Sequence, residues 1–85
     1  MLDIAEFNKV LEDWHSYKIA VYPKGSRLSN ILLRIQIDAI DKEVVVMRAR
    51  IMSGEEGKDI EEDMLDLEEA ILQLKMVMLM RTLKE

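Results

Sequence analysis

The most regular hydrophobic pattern in the chain occupies its last third. Apolar residues recur there at alternating steps of four and three, in a stretch without Gly or Pro: Ile60, Met64, Leu67, Ile71, Leu74 and Met78. This spacing is typical of one side of an α-helix, which we predict over residues 59–84. A second apolar line indicates that the C-terminal half of this helix needs a second covering surface: Leu65, Leu72, Met76, Leu79 and Leu83.

The beginning of the chain predicts a shorter helix. Asp3 suits the N-cap, Glu6 stands three residues later as in a capping box, and Leu2 is placed to pack against Phe7. The helical spacing of the apolar residues extends to Trp14, which we expect to anchor the core. This first helix is predicted to end near His15.

Between the two helices the pattern favours three strands. Residues 17–23 alternate and end at a proline, residues 30–39 show the clearest period of two, and residues 43–51 alternate again. A five-residue loop, residues 38–42, is preferred between the last two strands because a three-residue loop would set Arg34 opposite Arg48. Residues 24–26 and 53–57 are predicted to be the other connections.

The element order is therefore α-β-β-β-α, a single α+β domain over residues 1–85. We predict a three-stranded antiparallel meander with both helices packed on one face. The other face would meet solvent and carry a mixed set of side chains, including Lys18, Tyr22, Arg34, Arg48 and Arg50.

Charge is unevenly distributed along the chain. Residues 55–69 hold nine acids and one lysine, a net charge of −8, whereas the whole chain is −5 and the remainder is +3. Five acids lie opposite the core side of the predicted last helix: Asp59, Glu62, Asp63, Asp66 and Glu69. They are interpreted either as a solvated face that suits the helix N-terminus or as a surface that docks on a basic partner in place of phosphates.

The residue inventory offers little chemistry. With one His, no Cys and no Gly-rich phosphate-binding motif, the chain is predicted to be no enzyme and to bind no cofactor or metal. The absence of cysteine fits a reducing compartment, and neither a secretory signal nor a membrane span is visible, so we expect a cytoplasmic protein without membrane contact. A pI near 4.9 disfavours general nucleic-acid binding.

Two resemblances bear on function. The α-β-β-β-α order resembles the double-stranded-RNA-binding domain, but acids stand where that family has a lysine cluster at the start of its last helix, namely Asp59, Glu61, Glu62 and Asp63. RNA binding is therefore disfavoured. In size, acidity and element order the chain is also similar to small phage-encoded inhibitors, including anti-CRISPR proteins. That resemblance implies a partner with a basic surface, such as one in a nucleic-acid-processing complex.

Three functional hypotheses follow. The first is a non-enzymatic protein-binding module, an inhibitor that presents the five acids to a basic partner surface. The second is a homo-oligomeric protein, for example a homodimer, that uses the Met-rich end of the last helix, with Met76 and Met80, or the open sheet face. The third is nucleic-acid binding through Arg34, Arg48 and Arg50.

Overall fold

Three α-helices build the molecule in the computed structural model, which describes the backbone of residues 3–84 and the side chains of residues 3–80. They are α1, Ile4–Val21, α2, Leu28–Met52, and α3, Lys58–Lys84. The short connections at residues 22–27 and 53–57 make each helix antiparallel to the one before it. The result is an elongated bundle of 43 × 20 × 19 Å.

The predicted α+β fold is wrong, because residues 3–84 contain no strand. The two strands and the loop expected at residues 30–51 all lie within α2. The side chains that α2 buries or half-buries follow steps of four and three: Leu33, Ile37, Ile40, Val44, Met47 and Ile51. Exposed apolar residues between them, among them Ile31 at 38% and Ile35 at 58% exposure, created the apparent period of two.

The first helix is longer than predicted. Asp3 is the N-cap as expected, and its Oδ1 accepts a hydrogen bond from the backbone N–H of Ala5 at 3.0 Å. The helix continues through residues 17–21, so the strand predicted there is wrong. It ends before Pro23, since a residue that precedes proline is driven from the helical region, and Tyr22 accordingly has ψ 122°. The expected contact of Leu2 lies outside the described residues.

The predicted last helix is confirmed, with α3 beginning one residue early. The backbone N–H of Glu61 donates to the Gly57 carbonyl at 3.3 Å, so Asp59 stands in the first turn. The core side is also confirmed: the first five residues of its apolar line are buried and Met78 is half-buried. They pack against the corresponding line of α2 and against Phe7 and Trp14 of α1.

The second apolar line of α3 is not covered as predicted. Leu65 is 64% exposed, Leu72 58% and Leu79 60%, while the side chain of Leu83 lies outside the described part of the chain. In this bundle α2 and α1 contact adjoining flanks of the α3 core line, so the outer side of α3 remains open. Because residues 3–84 contain no sheet, the chain does not have the element order of the double-stranded-RNA-binding domain. Size and acidity are what remain of the similarity to phage inhibitors.

Candidate functional site

The five predicted acids lie together on the outer side of the first half of α3, here called the acidic face. Asp59, Glu62, Asp63, Asp66 and Glu69 are all exposed. They lie within eleven residues, whose ten steps cover about 15 Å along the helix axis at 1.5 Å per residue. The opposite side of the same segment is held by buried Ile60, Met64 and Leu67, so the packed core fixes where these carboxylates point.

The members of the acidic face differ in their contacts. Asp63 is paired with Arg50, with Oδ2 2.6 Å from Nη1. Glu62 lies 4.0 Å from the Lys58 ammonium, a distance of weak pairing, and Glu69 accepts a 3.3 Å hydrogen bond from the Gln73 amide. Within the described residues no ion pair is formed by Asp59, Asp66 or Glu69. Most of the negative charge of this face is therefore presented to solvent.

Arg50 connects the end of α2 to the start of the acidic face. Its Nη2 and Nε donate to the Glu55 carboxylate at 2.7 and 3.1 Å, while Nη1 reaches Asp63. These bonds lower the pKa of Glu55, because the guanidinium stabilises its charged form, and raise the pKa of Arg50 further above its ordinary value. The Ser53 hydroxyl also donates to the Arg50 carbonyl at 2.8 Å. The α2–α3 connection is thus tied to both helices.

The three arginines considered for phosphate contact do not form one patch. The sheet face on which they were expected to lie is absent, since residues 3–84 contain no strand. Arg34 and Arg48 are fourteen residues apart on the flank of α2 that faces α1, whereas Arg50 points to α3. Arg34 also donates from Nη2 to the Gly25 carbonyl at 2.7 Å, and Arg50 is held by two carboxylates.

A set of polar contacts between α1 and α2 was not predicted from the sequence. The indole N–H of Trp14 donates to Asp41 Oδ1 at 2.7 Å, and the Lys18 ammonium lies 3.0 Å from both oxygens of the same carboxylate. Trp14 itself is 1% exposed, as expected of a core anchor. No local pattern could have indicated this contact, because Asp41 is 27 positions from Trp14 and 23 from Lys18 in the sequence.

Met76 and Met80 are exposed at 56% and 57%, whereas Met78 packs against the core. Neighbouring residues of α2 and α3 add further exposed apolar surface at this end of the bundle: Leu28, Leu32, Ile35, Val77 and Leu79. Charge, more than apolar exposure, distinguishes the two halves of the α2–α3 hairpin. The half nearer the α2–α3 connection carries the acidic face together with exposed Val45, Val46 and Leu65, and the other half exposes mainly aliphatic side chains.

A shallow groove runs between α2 and α3 on the side away from α1. Gln36, Ala39, Ala70, Gln73 and Val77 line its part near the apolar end, here called the uncharged groove. Ala39 and Ala70 are shared with the part of the groove nearer the α2–α3 connection, where Glu43, Arg50, Asp63 and Asp66 add charge. This feature could not be located before the pairing of the two helices was known.

The described residues contain no group of three or more His, Asp or Glu side chains placed to hold a metal ion. The single histidine, His15, is exposed on α1. The sequence pattern predicted that it would lie at the end of this helix. It lies inside α1, six residues before Val21. In the described part of the chain, no helix combines the length and the apolar character that crossing a membrane would require.

No protein-family model, no curated protein and no solved structure matches this chain. Function is therefore inferred from the surfaces described above. Two of them differ most from an ordinary solvated helix surface: the acidic face of α3 and the aliphatic end of the α2–α3 hairpin.

Proposed function

We propose that this chain is a non-enzymatic protein-binding module that docks the acidic face of α3 on a basic surface of another protein. The observation that carries the proposal is the set of solvent-facing carboxylates along about 15 Å of one rigid helix. They lie within a segment of net charge −8, in a chain whose other residues sum to +3.

Electrostatic complementarity supports a basic partner. Like charges at i,i+3 and i,i+4 spacing, such as Glu62 with Asp66 and Asp66 with Glu69, each cost about 0.2–0.5 kcal/mol in an isolated helix. A partner that places Lys or Arg side chains opposite them relieves this repulsion. It is also steered to the site by the local field.

The rigidity of the face supports binding by a preformed surface. Ile60, Met64 and Leu67 hold one side of the segment in the core, and Arg50 ties its first turns to the end of α2. Little conformational freedom is then lost on docking, and that loss is a main cost of association. Carboxylates held at fixed helical spacing act as substitutes for the phosphates that a nucleic-acid-reading surface binds. An inhibitor of a nucleic-acid-processing complex in the cytoplasm is the role we infer.

The test compares two charge-matched triple variants. One neutralises the acidic face by Glu62→Gln, Asp66→Asn and Glu69→Gln, and leaves Asp63 with its Arg50 partner. The control, Glu6→Gln, Glu12→Gln and Asp13→Asn on α1, makes the same chemical changes and the same net charge. The partner is captured from the native host lysate with the unaltered chain, eluted with salt and purified, and its Kd for each variant is then measured at several salt concentrations.

We expect the face variant to bind about tenfold more weakly, since three surface contacts at about 0.5 kcal/mol each sum to roughly 1.5 kcal/mol. Its affinity should also depend less on salt than that of the unaltered chain. The control should stay within about twofold. Equal losses in both variants, or no loss in the face variant, would refute the proposed mechanism.

A second candidate function is self-association, which the sequence pattern raised through Met76 and Met80. The exposure of both side chains at the aliphatic end favours self-association. Nucleic-acid binding through Arg34, Arg48 and Arg50 gains no such observation, since two of these arginines already hold intramolecular acceptors.

A further inference from the structure

The chain exposes more surface than a compact monomer of its mass. Its accessible area is 6287 Å², whereas a monomeric protein of 9.9 kDa is expected to expose about 5,200 Å². The radius of gyration, 14.1 Å, likewise exceeds the roughly 12 Å expected for a compact domain of this length. The bundle is elongated, 43 × 20 × 19 Å, so its long sides offer room for the roughly 800 Å² that each partner contributes to a standard protein interface.

Large apolar side chains are exposed at the end of the hairpin near the α1–α2 connection. Six of them are between 49% and 60% exposed: Leu32, Ile35, Met76, Val77, Leu79 and Met80. Val77 lines the uncharged groove, whereas Leu79 lies seven residues after Leu72, which faces α1. Apolar side chains exposed together on one surface mark interaction sites. Leu32 lies seven residues before Ala39 and Met80 seven after Gln73, so both border the uncharged groove.

The uncharged groove itself is suited to a symmetric contact. None of the seven residues that line it carries a charge, so two copies meet there without like-charge repulsion. Gln36 carries a donor and an acceptor, which lets its amide bond to a symmetry-related amide, and Gln73, which donates one N–H to Glu69, keeps its second N–H and its carbonyl. Ala39 and Ala70 bring only methyl groups to the surface and allow close approach of helices.

We propose that a second copy of this chain covers the uncharged groove, in a two-fold antiparallel dimer. The groove of one copy packs on the groove of the other. The α2–α3 pairs of the two copies then form two layers of two helices each, with Leu32, Val77 and Met80 at the contact. The charged half of the same α2–α3 groove, with Glu43 and Asp66, prevents complete overlap. The antiparallel arrangement places the two acidic faces at opposite ends, where their mutual repulsion is smallest.

An anionic membrane is a poorer occupant of this surface. Its apolar side chains would need neighbouring cations to meet lipid headgroups. Arg34 and Lys75 lie on the α1 flank, where Arg34 donates to the Gly25 carbonyl and the Lys75 ammonium lies 5.2 Å from the centre of the Tyr17 ring. Lys24 and Arg27 are exposed in the α1–α2 connection, and the lining of the uncharged groove itself contains no cation.

The test uses a matched pair of valine substitutions in the full chain. Val77, in the uncharged groove, and Val45, on the outer side of α2, are both exposed, at 49% and 67%. Each is replaced by Lys, and molar mass is measured by sedimentation equilibrium from about 1 to 500 μM. A second groove variant, Gln36→Glu, preserves side-chain shape and adds a charge. Circular dichroism verifies that all variants retain the helical content of the unaltered chain.

We expect the unaltered chain and Val45→Lys to reach twice the monomer mass with the same Kd within twofold. Val77→Lys and Gln36→Glu should raise the dimer Kd about tenfold or more, because each copy would bury an unpaired charge at the contact. The proposal is overturned if the unaltered chain is monomeric throughout the range, or if both valine variants weaken the dimer equally. It is also overturned if the groove variants dimerise as tightly as the unaltered chain. A monomer that binds anionic phospholipid vesicles in a flotation assay would likewise overturn it.

Discussion

Replacing Ile37 and Ile35 separately by alanine tests the helical assignment of α2 with two neighbouring, chemically identical changes. The two side chains lie on the same face of a strand, so the period-two interpretation requires similar costs. In the helix they are about 200° apart around the axis at 100° per residue. Ile37 is accordingly 1% exposed, and Ile35 is 58% exposed.

The expected magnitudes follow from that difference in burial. Ile37→Ala removes buried methyl and methylene groups and leaves a cavity in the core, at a cost of about 3 kcal/mol within a usual range of 2–5. Ile35→Ala removes a side chain already half in water and gains helix propensity, which is worth up to about 0.7 kcal/mol per residue. Its net effect should lie within about 0.5 kcal/mol of zero. For a domain of this size, 3 kcal/mol corresponds to a fall in Tm of roughly 12–24 °C.

The assay is urea unfolding followed at 222 nm, with each chain measured at two concentrations so that any contribution of association is separated from the stability of the fold. The single tryptophan, Trp14, is buried, so its fluorescence supplies a second probe of the same transition. Similar losses of stability in both variants would refute the helical assignment of α2. A larger loss in Ile35→Ala would contradict the described core.

The remaining predictions concern the polar contacts of the bundle. Asp41→Ala should lower the free energy of unfolding by about 1–3 kcal/mol, because the buried Trp14 indole N–H loses its acceptor. Asp41→Asn, which keeps an acceptor, should cost less, and equal costs measured by urea unfolding would contradict this reasoning. Arg50→Gln should make stability depend less on pH on the acid side. In the unaltered chain Arg50 lowers the pKa of Glu55. The ionised Glu55 therefore stabilises the fold above its ordinary pKa of 4.5, and this stabilisation is lost as the pH falls through the folded-state pKa. Carboxyl NMR titration should show the Glu55 pKa rising towards its ordinary value in Arg50→Gln, and an unchanged pKa would exclude the Arg50 contact.

Two kinds of feature could be predicted from the residues alone. Asp3 as N-cap, the α3 helix and its buried line from Ile60 all depend on contacts within a few residues or on one uninterrupted spacing. The acidic face was found for the same reason, since the helix spacing that buries Ile60 turns Glu62 and Asp66 outward. Whether that face binds a basic partner stays a prediction.

The α2 helix could not be separated from two strands by the same reasoning. Its exposed Ile31 and Ile35, together with buried Leu33 and Ile37, satisfy a period of two over that stretch. The buried set also satisfies the four-and-three spacing through Ile51, and a segment free of Gly and Pro from Leu28 to Met52 would have favoured the helix. Abundant β-branched residues outweighed that signal. Local preference is weak, however, and a facing apolar line in another helix overrides it.

By itself the sequence determined the α3 helix, the capped start of α1, the uneven charge and the position of the five carboxylates, because each depends on neighbours a few residues apart. Tertiary structure alone decided that α2 is a helix, that Trp14 and Lys18 meet Asp41, and that Arg50 joins Glu55 to Asp63. It also brought Ala39 and Ala70 together in an uncharged groove. These features require segments distant in sequence to be paired in a defined register. Hydrophobic spacing identifies the side that each helix buries, but only packing decides which helix covers it and which apolar residues remain exposed.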